Sequence, residues 1–472
     1  MEAKQICTET PPKYNVKGIM FTLLLAGFLS LFNETVLNVA FPTLMKEMNV
    51  TALTVQWLIT GNVLVVGILV PVTAFLLHTF TTKQLYLSSI LFLLLGTVCA
   101  IFSKSFTALL ISKIIQAFGT GLIIPLMMNS SLAITPREKH GSIMGLCASI
   151  LTLGPALGPT ASGILLQYFS WHSLFIVLVP FLILCIILGS IFLENTSEIT
   201  KPKIDYLSIV LSTIAFAGVI YSISSLGTSK LSTSLVILAV GLISLIIYVK
   251  RQLTLSAPIL ELRPFKNPVF TVGVLLIAIV QSFQFSANII LPTLLQDGLK
   301  TSTFTSALVL FPAILVSAIC TPFVGKTFDK IGGRLLIPCG FAIICVFTFI
   351  LSRASLTTSV LTITLLYCCI MFGQSMTMST SQTTSLSVLP NKTRADGVAI
   401  VNTAMQLAGA LGSSVYVGLM TSFQTKYLTS HPGSSRAALY SGFNGSILIA
   451  AIVIGVGFLL SLYLSIKSKK VK

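Results

Sequence analysis

Apolar residues in this chain come in long unbroken runs, not in the alternating or every-third-or-fourth patterns of half-buried strands and helices. A run of about 20 such residues crosses the hydrocarbon core of a bilayer as a helix. Fourteen runs can be drawn, over 17–41, 54–77, 84–103, 107–131, 142–166, 171–193, 205–226, 232–250, 268–294, 303–327, 335–353, 356–386, 395–420 and 441–466. The predicted class is an all-α membrane protein with fourteen spans, an even number that returns both termini to one side. Loops are short except 194–203 and 250–267 on the side of the termini and 421–440 on the other. That leaves no room for a soluble domain, so the chemistry belongs inside the bundle or at its rims. The first run is too long for a signal peptide and has no small-residue cleavage site, so it reads as a retained helix.

Composition agrees with that picture, and charge gives it a direction. Of 472 residues 54% are hydrophobic and 9% charged, with a mean hydropathy of +0.97. The net charge of +17 suggests nucleic acid until the charges are placed. With the N-terminus in the cytoplasm, 21 of the 29 Lys and Arg fall on the inner side, 7 on the outer side and one, Lys113, within a span. This is the positive-inside bias of a plasma-membrane protein, so no nucleic-acid partner is implied. Lys467, Lys469, Lys470 and Lys472 add attraction to anionic lipid. The nine cysteines mostly lie in apolar runs and form neither a disulfide framework nor a metal spacing. Four scattered histidines, His78, His140, His172 and His431, offer no catalytic cluster, so neither an enzyme nor a metal site is expected.

Glu34 is the only carboxylate well inside an apolar run. Acids at membrane depth usually face a cavity and carry protons or ions; the alternative is a side chain close enough to the span's end to reach the headgroups. Lys113 in span four lies about 10 Å from that span's outer start, and Glu34 about 25 Å from the inner start of span one. These levels are close in a core about 30 Å thick, so the two can meet; the alternative is that Lys113 snorkels outward.

The rim between spans ten and eleven, Gly325-Lys326-Thr327-Phe328-Asp329-Lys330-Ile331-Gly332-Gly333-Arg334, has a counterpart between spans two and three, with Ala74 in the place of the first Gly, His78 in that of Asp, and Thr81 where the second Gly stands. Matching positions in two halves indicate an internal repeat, with the binding site near the midplane where the halves meet. The division is 1–200 for a first six-helix bundle, 201–262 for a two-helix insertion and 263–472 for a second six-helix bundle.

Three further stretches carry a family resemblance. Thr35, Val36, Asn38, Val39, Ala40 and Pro42 match a first-helix signature Leu-Asp-x-Thr-Ile-Val-Asn-Val-Ala-Leu-Pro, with Asn33 where Asp is usual. Span four has Lys113, Gln116 and Gly119 in an Arg-x-x-Gln-Gly-x-Gly pattern. Span five has Gly154-Pro155-Ala156-Leu157-Gly158-Pro159-Thr160-Ala161-Ser162-Gly163, similar to an antiporter signature Gly-x-x-x-Gly-Pro-x-x-Gly-Gly. Over nearly its whole length the chain resembles the major facilitator superfamily, and within it the fourteen-span drug/proton antiporters. The resemblance implies a bacterial multidrug exporter that works as a monomer by alternating access, driven by the proton gradient with no cofactor. Glu34, with Asn33 beside it, is then the proton site and Lys113 its charge partner. Gly154, Pro155, Gly158, Pro159 and Gly163 form the antiporter motif. Gly325, Asp329, Lys330, Gly332 and Arg334 form the inner gate, in which the acid pairs with basic groups of neighbouring helices; the plainer reading is that Asp329 caps a helix.

Amides beside aromatics and flexible Met side chains mark the drug-facing surface: Gln281, Phe283, Gln284 and Asn288 in span nine, Met371 and Gln374 in span twelve, Asn402 and Gln406 in span thirteen. Drugs and dyes are the expected small-molecule partners, and a carrier of a single metabolite or antibiotic on the same scaffold is the alternative. Gly325-Lys326-Thr327 has the ending of a phosphate loop, but Cys320 stands where the first Gly belongs, so nucleotide binding is not supported.

Overall fold

The computed structural model describes residues 15–55, 57–196, 199, 205–224, 231–255, 258–301, 303–355 and 358–467; Lys201, Lys203, Lys469, Lys470 and Lys472 lie outside them. Among the described residues the chain is helical, with no strand. The long helices are α1 (Val16–Thr35), α2 (Trp57–Thr79), α3 (Thr82–Ile101), α4 (Phe106–Ala133), α5 (His140–Tyr168), α6 (Leu178–Phe192), α7 (Tyr206–Ser224), α8 (Leu231–Thr254), α9 (Pro268–Thr293), α10 (Thr303–Ile331), α11 (Gly333–Leu351), α12 (Val360–Ser387), α13 (Asn391–Ser430) and α14 (Ser435–Lys467). Twelve helical stretches are long and apolar enough to cross a membrane. Helix α2 qualifies only as a bent pair, Trp57–Leu69 and Val72–Thr79, meeting at 54°, and α7 contributes a shorter apolar stretch, Tyr206–Ser222. Ile191, Leu361, Leu459 and Ile466 on the outside are between 64% and 71% exposed, a surface that suits lipid and not water.

Polar residues set the helix ends. Asn15 accepts from the Gly18 N–H to cap α1, and Thr81 and Gln84 form a reciprocal capping box at α3. Ser105, Asn267 and Ser359 cap α4, α9 and α12. Asp205 caps α7 through the Ser208 N–H and also binds Arg251 of α8 at 2.9 Å. Only Gly332 separates α10 from α11, and its φ of +74° is left-handed, which glycine adopts without strain.

Helices α1 to α6 pack among themselves, as do α9 to α14. Helices α7 and α8 form a hairpin, closely packed where Gly218 meets Gly241, and α7 lies against both α2 and α13. The two groups meet chiefly where α5 runs along α10 and α2 along α13. The bundle has two rims: the near rim carries Asn15, and the far rim is opposite.

Candidate functional site

Helix α1 ends at Thr35, one residue after Glu34, and the chain turns at Val36 and Leu37 into a short 3-10 segment, Asn38–Ala40. Glu34 thus sits in a last helical turn, about 27 Å from the helix start at 1.5 Å per residue. Its neighbours on either side are each tied to a different helix. The Asn33 carbonyl, which no backbone N–H takes up, accepts from the Lys113 ammonium of α4 at 2.8 Å. The Thr35 hydroxyl donates to the Pro155 carbonyl of α5 at 3.2 Å. That carbonyl is free because Pro159, four residues on, has no N–H to offer.

Lys113 is 2% exposed, and its second neighbour is the Phe175 ring, 5.5 Å away. Among the described residues it makes no ion pair with Glu34 within 4.0 Å, so the expected contact between the two is replaced by one with the backbone beside Glu34. A cation on an unpaired carbonyl at a helix C-terminus also opposes the negative end of the helix dipole. Depth arithmetic puts both residues at one level but is silent on direction. Lys113→Met leaves the Asn33 carbonyl buried without a donor, at a cost of about 1–3 kcal/mol. The expected outcome is a lower melting temperature and slower efflux, both largely restored in Lys113→Arg; equal behaviour of the Met and Arg variants would remove Lys113 from this role.

The span-five glycines are what bring α5 onto this end of α1. A Cβ on Gly158 would lie 2.2 Å from the Thr35 Oγ1, and one on Gly154 would lie 2.7 Å from the Leu31 Cβ. Gly163 is different, since a Cβ there meets nothing within 4 Å. The close approach thus belongs to the first two glycines, while Pro155 and Pro159 face inward.

Glu34 opens into a cavity of about 500 Å³ between the two helix groups. Among the described residues that line it, Glu34 is the only one with a charge. Facing it across the cavity are Gln281, Gln284, Asn288, Met371, Gln374, Asn402 and Gln406, and the Gln374 amide donates to the Gln284 carbonyl oxygen. Two of the candidate residues point elsewhere. Phe283 is 2% exposed in the apolar core, and Phe285 lines the cavity in its place. This follows from helix geometry, because Gln281, Gln284, Phe285 and Asn288 are three and four residues apart and share one face. The Asn33 side chain is 1% exposed, turned away from the cavity, with both amide atoms lacking a partner.

Helix α10 supplies a wall that sequence reasoning missed: Ser306, Phe311, Ile314, Ser317 and Thr321. The spacing of Ser317 and Thr321, four apart in an apolar run, was the available signal. Thr120 of α4 and Thr152 and Thr160 of α5 add to the polar lining.

The lining extends to the far rim through Asn38, Pro292, Gln296 and Ser306, and towards the near rim it stops at Ala148 and Thr321. Just below, the helices touch backbone to backbone. A Cβ on Gly145 would lie 2.8 Å from the Thr321 oxygen, and one on Gly325 would lie 2.3 Å from the Gly141 oxygen. At this seal Asp329 of α10 accepts from the Gly141 N–H at 2.7 Å and the Ser142 N–H at 2.9 Å, and also from the Ser142 hydroxyl. The acid therefore caps a helix, but one of the opposite group, where the dipole favours a negative charge. This differs from the expected pairing with basic side chains: Lys330 and Arg334 are exposed at the rim and make no ion pair within 4.0 Å among the described residues.

The chain matches the family model described as the Major Facilitator Superfamily over residues 23–413. It belongs to the major facilitator superfamily. It is 42% identical over 456 residues to the lincomycin resistance protein LmrB of Bacillus subtilis (strain 168), covering 95% of each chain. It is 25% identical over 447 residues to the putative multidrug resistance protein MdtD of Yersinia pseudotuberculosis serotype I (strain IP32953), covering 92% of this chain and 94% of that one. Among solved structures, a double Trp mutant of XylE superposes with a TM-score of 0.68 at 15% identity over 95% of this chain and 96% of that one. The human organic anion transporter MFSD10 gives 0.67 at 12% identity, over 96% and 100%. At those identities the shared property is the superfamily's fold, a multi-pass membrane transporter scaffold.

Proposed function

We propose that this protein is a proton-coupled efflux antiporter for amphipathic drugs and dyes, working by alternating access in the plasma membrane of a bacterium. The observation that carries the reading is a single carboxylate, Glu34, open to a cavity whose other described lining is uncharged, mostly apolar side chains interspersed with amides and hydroxyls. One ionisable group in an uncharged pocket can hold a proton or favour a cargo, but not both at full strength, which is the requirement for exchange. Drug-resistance relatives along almost the whole chain support the same reading.

In this reading the chain has fourteen spans arranged as 1–200, 201–262 and 263–472, and acts as a monomer with lipid around it and no nucleic-acid partner. The positive-inside bias makes the near rim cytoplasmic and puts both termini there, so the cavity faces outward. Protonation of Glu34 from outside releases drug. The near rim then opens, the proton leaves, and new drug binds to Gln281, Gln284, Asn288, Gln374, Asn402 and Gln406. The energy comes from the proton gradient and not from a bound cofactor.

A second reading, a carrier dedicated to one antibiotic, is favoured by relatives named for lincomycin alone. A growth panel in a pump-deficient host with lincomycin, ethidium, a quaternary ammonium disinfectant and a fluoroquinolone separates the two. Protection against several of these supports the multidrug reading, and protection against lincomycin only would replace it with the second.

A further inference from the structure

The near rim holds a second junction between the two helix groups, built around a residue that no motif contains. Asp396, in the second turn of α13, is 5% exposed. Its Oδ2 stands 3.5 Å from the His78 Nε2 at the end of α2. Its Oδ1 accepts from the Glu261 N–H at 3.0 Å, in the segment that returns from the α7–α8 hairpin. The buried Tyr248 of α8 faces the same carboxylate, its hydroxyl without a hydrogen-bond partner.

His78 occupies the place in the first half that Asp329 occupies in the second. Asp329, at the end of α10, reaches the first turn of α5. His78, at the end of α2, reaches the start of α13, and α13 corresponds to α5 under the repeat. The two junctions are thus equivalent in position and opposite in the side that brings the acid. In one the rim helix supplies the carboxylate and the facing helix supplies N–H donors. In the other the rim helix supplies an imidazole and the facing helix supplies the carboxylate.

We infer that Asp396 is the acid of the first-half gate, moved across the seam from α2 to α13, and that it holds the near rim closed by joining both helix groups and the inserted hairpin at one carboxylate. The charge is held by the Glu261 N–H, which donates to its Oδ1, and by the His78 imidazole beside its Oδ2. Buried in closed contact, it loses its partners from α2 when the seam parts, so it distinguishes the closed rim from the open one. This inference rests on the alternating-access part of the proposed function.

The test is a distance between the halves. Spin labels go on Phe80→Cys and Leu335→Cys, two exposed near-rim sites in different halves, in a cysteine-free background in lipid nanodiscs with no drug and no proton gradient. The wild-type background is expected to populate mainly a short distance. Asp396→Asn should lower that population at least twofold, and His78→Asn by less. Combined, the two should do no more than Asp396→Asn alone, as expected of residues acting on each other. Asp396→Glu, which keeps the charge, should restore most of the short population. An unchanged distribution in Asp396→Asn, or strictly additive effects in the double variant, would overturn the inference. His78 has a side chain 21% exposed, so His78→Asn carries the test alone if Asp396→Asn fails to purify as a single species. Because neither drug nor protons enter the measurement, its failure is distinct from failure of the drug/proton reading.

Discussion

Glu34→Gln is expected to reduce active efflux to the level of cells without the protein while leaving drug-for-drug exchange running. Glutamine keeps the shape and hydrogen-bonding capacity of a protonated glutamate but cannot ionise. The cavity, whose described lining has no other charge, is then fixed in the state that has already accepted its proton. Counterflow needs only binding and rim alternation, so at saturating drug it survives, even though a state that has already accepted its proton binds drug more weakly. Accumulation against a gradient needs the proton to be exchanged, so it does not. Glu34→Asp keeps the ionisable group about one methylene further back in the cavity wall and should retain a fraction of the activity. Loss of exchange and active efflux together in Glu34→Gln would mean that the residue serves binding or folding, not coupling.

Gly325→Ala should open the near rim. The added Cβ would sit 2.3 Å from the Gly141 oxygen and 2.9 Å from the Gly141 carbonyl carbon. Both are backbone atoms, so no rotamer change relieves the clash, and α5 and α10 must move apart. Overpacking of this kind costs about 1–3 kcal/mol, and a cost of that size moves a two-state equilibrium by roughly 5- to 150-fold. It falls on the closed-rim state, because the contact exists only there. With one thiol placed on the cavity wall by Thr152→Cys in a cysteine-free background, a thiol reagent applied from the near side should react faster by a factor in that range, with efflux reduced accordingly. Gly163→Ala is the matched control: its Cβ meets nothing within 4 Å, and it should behave as the parent protein. Equal effects of the two substitutions would remove the steric argument.

Much of the architecture is legible in the sequence because membrane depth leaves a one-dimensional record. Apolar run length gives the long helices, twelve of which among the described residues are long and apolar enough to cross a membrane, and an acid interrupting one run singles out Glu34. What the record lacks is rotation about each helix axis. Lys113 and Glu34 share a level, yet the ammonium finds the Asn33 carbonyl. Phe283 and Phe285 are equally apolar, and only the face shared with Gln281 and Asn288 decides which lines the cavity. Cross-seam pairing is also invisible from single motifs. Asp329 carries a signature but not the identity of its partner, the start of α5. His78 looks like decay of the same signature until Asp396, more than 300 residues later, is seen beside it. Gly163 shows the reverse case, a motif position whose expected close packing is absent in space.

The most direct test of the central claim is proton release on drug binding, measured with a pH dye in weakly buffered solutions of purified protein. Ethidium or lincomycin, whichever the growth panel identifies as cargo, added to the wild type should release protons in proportion to the protein present. The same addition to Glu34→Gln should release none, although the drug still binds. Release of as many protons from Glu34→Gln as from the wild type would place the exchanging group elsewhere and contradict the account.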